Sequence, residues 1–223
     1  MSFRRVVAVA LLPCAVVAAC ESHNTVAVGG ANGATVRLVN GSSSKLDLLV
    51  NGVAATNNRA LAFGVSSACS VVDVTSGTVA VRVTDSSTPI PFTPTLAVGG
   101  KYLLLAYPDA NGVIQLSTVT QDANLVSIRS ELAVFEGVPS TVTGNYDVYI
   151  TAPADALGTP TFRNLTFGFA TPFFDVLPRV TQVRLTNAGT QSVVIDAGSF
   201  TLAANTVYLL AVVLPTPFLA TGC

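Results

Sequence analysis

The chain has 223 residues, half of them hydrophobic and 10% charged, with a formal net charge of -1. So apolar and charge-poor a composition excludes a disordered chain, and the near-zero net charge excludes the basic footprint with which nucleic-acid binders neutralise phosphates. After residue 20 no apolar run is long enough to predict a membrane-spanning helix.

The first residues have the three parts of a secretory signal. Arg4 and Arg5 give a positive start, and residues 6–17 form an apolar run too short to span a bilayer, interrupted by Pro13. Val17-Ala18-Ala19-Cys20 then resembles the bacterial lipobox, in which small residues precede a cysteine that is lipidated and becomes the new N-terminus. Cys14 is a poor rival, because Pro13 precedes it. Residues 1–19 are therefore expected to be a lipoprotein signal peptide and Cys20 the lipidation site. Each buried methylene of an acyl chain contributes about 0.8 kcal/mol, and several chains on one residue make a stable anchor. Glu21, rather than Asp, follows the cysteine and leans toward the outer membrane, on either its periplasmic or its surface face. Residues 20–33 are small, polar and rich in Gly and Asn, which predicts a flexible tether that carries the single histidine, His23.

Four blocks then recur in the same order. Leu46-Asp47-Leu48-Leu49-Val50 matches Tyr146-Asp147-Val148-Tyr149-Ile150, and Leu61-Ala62-Phe63-Gly64 matches Leu165-Thr166-Phe167-Gly168. Val81-Arg82-Val83-Thr84-Asp85 matches Val183-Arg184-Leu185-Thr186-Asn187. Thr95-Leu96-Ala97 with Tyr102-Leu103-Leu104 matches Thr201-Leu202-Ala203 with Tyr208-Leu209-Leu210. A fixed order at a spacing of about 100 residues marks an internal duplication.

Each block alternates with the period of a half-buried strand, as in Leu46, Leu48 and Val50, or Val79, Val81 and Val83. Residues 102–107 and 208–214 are continuous apolar runs, which predicts strands buried on both faces. Turn residues separate the blocks, among them Asn51-Gly52, Gly99-Gly100 and Asn111-Gly112. Phe63-Gly64 and Phe167-Gly168 predict one repeated place where a ring enters the core and glycine permits a bend. The expected fold is all-β: two tandem antiparallel β-sandwich domains, Ig-like or transthyretin-like, at 34–120 and 128–214. They are joined by a linker at 121–127 and followed by a tail at 215–223.

The same order of blocks resembles the DUF4397 family, a domain of unknown function common in exported bacterial proteins and often found in tandem. Its extended "vDvyv" segment corresponds to 46–50 and 146–150, its "f..l.fG" element to 60–64 and 162–168, and its closing "l.aG..Ytl.a" strand to 96–106 and 202–211. The family's usual opening contains a histidine, which neither 37–41 nor 132–137 has. The resemblance implies the fold and carries no activity.

The chemistry-bearing residues point away from catalysis. A histidine-based triad needs a base beside its nucleophile, and His23 sits on the tether. No spacing suits three zinc ligands or a calcium loop, no glycine-rich phosphate loop follows a strand, and no cofactor is expected. Asp47 recurs as Asp147, Asp73 as Asp175 and Arg82 as Arg184. Symmetric recurrence favours structural roles, with a carboxylate-dependent hydrolase as the rival if these aspartates converge in a cleft. Cys69 and Cys223 are the thiols that remain in an oxidising envelope, and an even count predicts a disulfide between them. The reading is a non-enzymatic, lipid-anchored envelope protein that meets the membrane through its anchor and an envelope protein or a glycan through its strand edges and loops.

Overall fold

The computed structural model describes residues 32–121, 125, 128–139 and 144–223. The signal segment, Cys20, His23 and nearly all of the expected tether lie outside the described residues. Of the 121–127 linker only Gln121 and Leu125 are described, and Gln121 is buried.

The chain is all-β. The first copy contains β1 (Gly33–Asn40), β2 (Leu46–Val50), β3 (Ser70–Asp73), β4 (Val79–Val83), β5 (Pro89–Ile90), β6 (Lys101–Pro108) and β7 (Ile114–Thr120). The second contains β8 (Ser130–Glu136), β9 (Tyr146–Thr151), β10 (Phe162–Leu165), β11 (Phe174–Val176), β12 (Val180–Asn187), β13 (Val193–Thr201), β14 (Thr206–Val212) and β15 (Phe218–Thr221). Each copy folds into two sheets. The first has the orders β3-β1-β6-β7 and β2-β4-β5, and the second β11-β8-β14-β15 and β10-β9-β12-β13.

Two expectations are corrected. The sandwiches are not wholly antiparallel, because β1 pairs with β6 and β8 with β14 in parallel. These strands are covered on both faces, the setting in which parallel pairs occur. The segment 215–223 is not a tail, since it contains β15, which pairs antiparallel with β14 and buries Ala220. Pro215 and Pro217 break the apolar run ahead of it and disguise the strand.

Alternation along the inner strands explains how the copies meet. Tyr102, Leu104 and Ala106 of β6 enter the first copy's own core. Leu132 and Val134 of β8, with Tyr208, Leu210 and Val212 of β14, enter the second copy's core. The intervening residues form a third core. Val39, Leu103, Leu105, Tyr107 and Val119 of the first copy pack there with Ala133, Phe135, Leu209, Ala211, Val213 and Ala220 of the second. The molecule is therefore four sheets in a stack, with the two inner sheets back to back. Period-two alternation reads as a continuous apolar run when both faces of a strand are buried.

Contacts across this seam follow a pseudo-twofold relation. In the first copy Phe63 meets Phe218 with ring centroids 5.3 Å apart, and in the second Phe167 meets Tyr107 at 5.3 Å. A Cβ on Gly41 would meet Val213, and one on Gly137 would meet both Val213 and Tyr107. The duplicated units thus associate through one self-complementary patch, as the subunits of a twofold dimer do.

Candidate functional site

The recurring aspartates were the sequence's candidates for chemistry, and the structure disperses them. Asp47, fully buried on β2, accepts hydrogen bonds from the Ala60 amide (2.9 Å) and the Thr84 hydroxyl (2.8 Å). It also pairs with Arg82 at 3.2 Å. Burial pushes its carboxyl up, but the Ala60 amide, Thr84 and Arg82 together outweigh burial and hold it below the usual carboxylate range. Asp147, equally buried on β9, accepts instead from the amides of Asn164 (3.1 Å) and Gly189 (2.9 Å). Amide donors with positive φ occur in both copies, Ala60 at +50° in the first and Asn164 at +58° and Gly189 at +77° in the second. Each aspartate therefore fixes a left-handed turn, at an alanine that disfavours it in the first copy and at an asparagine that tolerates it in the second.

The expected match of Arg82 with Arg184 is corrected by the register. Asp47 stands opposite Arg82, but Asp147 stands opposite Thr186. Arg184 faces Tyr149 and donates to the Thr151 hydroxyl and the Asp155 carbonyl, both at 2.7 Å. The sequence match was two residues out of step. A two-residue slip leaves every side chain on its own face, so alternation cannot detect it.

Asp73 and Asp175 do not share a role. Asp73 closes the turn after β3, accepting from the Thr75 hydroxyl and amide and the Ser76 amide, and the Thr75 bonds chiefly hold its carboxyl below the usual range. Asp175 is exposed on β11. The four aspartates do not converge in one cleft. Among the described residues no group of three or more His, Cys, Asp or Glu side chains is placed to hold a metal ion.

A disulfide joins Cys69, ahead of β3, to Cys223 at the C-terminus (S–S 2.06 Å), and it crosses the seam. Polar contacts flank it. The Arg37 guanidinium donates to the Thr221 carbonyl and hydroxyl at 2.9 Å, and the Cys223 amide donates to the Gln121 side-chain oxygen at 2.9 Å. The pseudo-symmetric place in the second copy holds Phe173, beside Ala133 instead of Arg37 (Phe135 and Ala170 form the same isolated bridge as Val39 and Ser66). That side of the seam carries a groove of about 560 Å³ lined by Phe173, Phe135, Thr171 and the β7 residues 117–120. Ser117 donates to the Gly168 carbonyl at 2.9 Å, so the hydroxyl of Tyr107, 3.0 Å away, donates to Ser117.

A second cavity, about 500 Å³, adjoins this groove and shares Phe167 and Phe169 with it. Its floor includes Glu136, the last residue of β8, which is only 1% exposed. Burial raises the Glu136 carboxyl to about 7 against a single opposing bond from the Val138 amide (2.7 Å). The first copy carries Asn40 at this place, since Gly64 donates to the Asn40 carbonyl as Gly168 does to that of Glu136. Asn40 is saturated by the loop that follows it and by Leu61: its amide donates to the Ser44 and Leu61 carbonyls, and its oxygen accepts from the Ser42 amide and hydroxyl. The wall opposite Glu136 comes from the β6–β7 hairpin of the other copy, through Asp109 and Asn111. Asp109 is held below the usual range chiefly by the Val113 amide, with further bonds from the Asn111 amide and the Gln115 side chain.

Sequence reasoning did not single out Glu136. The one available signal was a carboxyl closing the apolar run 132–135, at the place where the duplicate has an amide. Comparison with known protein families and with characterised proteins found no match to this chain.

Proposed function

We propose that this protein is a non-enzymatic binding module of the bacterial cell envelope, held to the membrane by lipid on Cys20 and built from two DUF4397-like repeats. The observation that carries the non-catalytic reading is the use made of the duplicated carboxylates. Asp47 and Asp147 hold turns from inside the sheets, Asp73 caps a turn and Asp175 stands on an outer strand. No two of these aspartates line one cavity, whereas carboxylate-dependent hydrolysis needs two carboxyls flanking one bond. Large open concavities lie along the seam, where both copies contribute walls. Sites between packed units are a common place for ligands.

A carbohydrate ligand is the second reading, favoured by Phe169, which is 66% exposed on the rim beside Asn111. A glycan array probed with the soluble chain separates it from a protein partner.

The anchor is tested by labelling cells with a palmitate analogue and fractionating them. The wild-type chain should take up label and sediment with membranes, and Cys20→Ala should do neither. A Cys20→Ala chain that keeps both label and membrane association contradicts the assignment.

A further inference from the structure

We infer that the cavity above Glu136 is a binding site for a small organic ammonium ion, with Glu136 as its counter-charge and the rings of Tyr146, Phe167 and Phe169 as its apolar walls. The inference rests on reading the protein as a binding module and names the ligand class of that module.

Three observations lead to it. The first is the contrast between the copies. At one pseudo-symmetric position Asn40 is consumed by four bonds, to Ser42, Ser44 and the Leu61 carbonyl, and at the other a glutamate of similar burial lines a cavity. A carboxyl retained in an apolar setting is costly when ionised and uncompensated, and a cation seated beside it removes that cost.

The second is charge. Among the described residues the lining contains two carboxyls, Glu136 and Asp109, and neither lysine nor arginine. Phosphates, sulfates and carboxylates are therefore repelled. The third is the wall. Tyr146, Phe167 and Phe169 line one cavity, and aromatic faces attract ammonium groups. Carboxylate and rings together select a cation with apolar substituents over a neutral molecule of the same shape. A volume of about 500 Å³ is within the usual range for small-molecule sites.

Calorimetric titration of the full chain, disulfide intact, with choline and with 3,3-dimethylbutan-1-ol tests the inference, since the two probes share a shape and differ in charge. Choline should bind saturably, with at least tenfold preference over the alcohol. Glu136→Gln should weaken choline at least tenfold, and Phe169→Ala, at an exposed position that leaves the fold intact, should weaken it severalfold. Equal binding of both probes, unchanged affinity in Glu136→Gln, or no saturable choline binding at millimolar concentration would each overturn it. If choline fails while a glycan or a crosslinked envelope partner is found, the ammonium site falls and the binding-module reading stands. Failure of all three removes both.

Discussion

At position 136 a single difference between the copies, carboxyl against the amide of Asn40, sets a pH dependence for the whole fold. Glu136 titrates near 4.5 in an unfolded chain and near 7 in the folded one. Below the lower value both states hold the proton and the fold keeps its full stability. Between the two values the folded chain retains a proton that the unfolded chain has released, so stability falls as pH rises and levels off above about 7. The difference corresponds to a loss on the order of 3 kcal/mol. Urea unfolding at pH 5 and pH 8 should show this loss in the wild type and a nearly flat profile in Glu136→Gln, and parallel profiles would contradict it. The sequence did not reveal Glu136 because its burial comes from tertiary placement at the seam. The structural roles of Asp47 and Asp147 were legible from their recurrence. Their partners were not, because Arg82 and Arg184 match by sequence and not by register.

At the scale of the element, the Phe-Gly turns connect the copies rather than fill each copy's own core. Gly64 and Gly168 have φ of +75° and +80°, so alanine at either carries a backbone cost of about 1 kcal/mol. Their surroundings differ. A Cβ on Gly168 would lie 2.7 Å from the Tyr107 hydroxyl, and one on Gly64 would lie 3.8 Å from the Phe218 ring. Tyr107 is buried and bonded to Ser117, so it cannot move aside freely. Gly168→Ala should therefore lower stability by about 1 kcal/mol more than Gly64→Ala, read from urea midpoints at unchanged slope. Equal losses would refute the asymmetry. The bend and its glycine were visible in the sequence. The destination of the ring was not, because alternation tells which residues are buried and not against what. The continuous runs did announce burial on both faces over 102–107 and 208–213, with Leu214 exposed beyond β14, while β15 was hidden by its flanking prolines.

At the scale of the molecule, two sandwiches behave as one body if the seam is worth more than the linker. Eight of its buried side chains are valine or larger, and full burial of each contributes roughly 1.5–3 kcal/mol, an upper estimate because the unfolded chain buries some of this area. The disulfide closes a separation of 154 residues and contributes at most about 5 kcal/mol by the chain-entropy argument. The apolar seam therefore contributes more than the disulfide, and the bond reinforces an association that packing already makes. Duplication was legible in the sequence at once. The back-to-back stacking of the copies was not, since a continuous apolar run shows that a strand's second face is covered and not by what.

Native-state amide hydrogen exchange on the disulfide-bonded chain tests that stacking most directly. The slowest amides of β6, in the first copy, and of β14, in the second, should exchange with the same opening free energy and the same denaturant dependence, because neither inner sheet can open without the other. A clear separation, with one copy's inner sheet exchanging through a partial unfolding that leaves the other protected, would mean that the copies are independent domains and that the shared third core does not hold them.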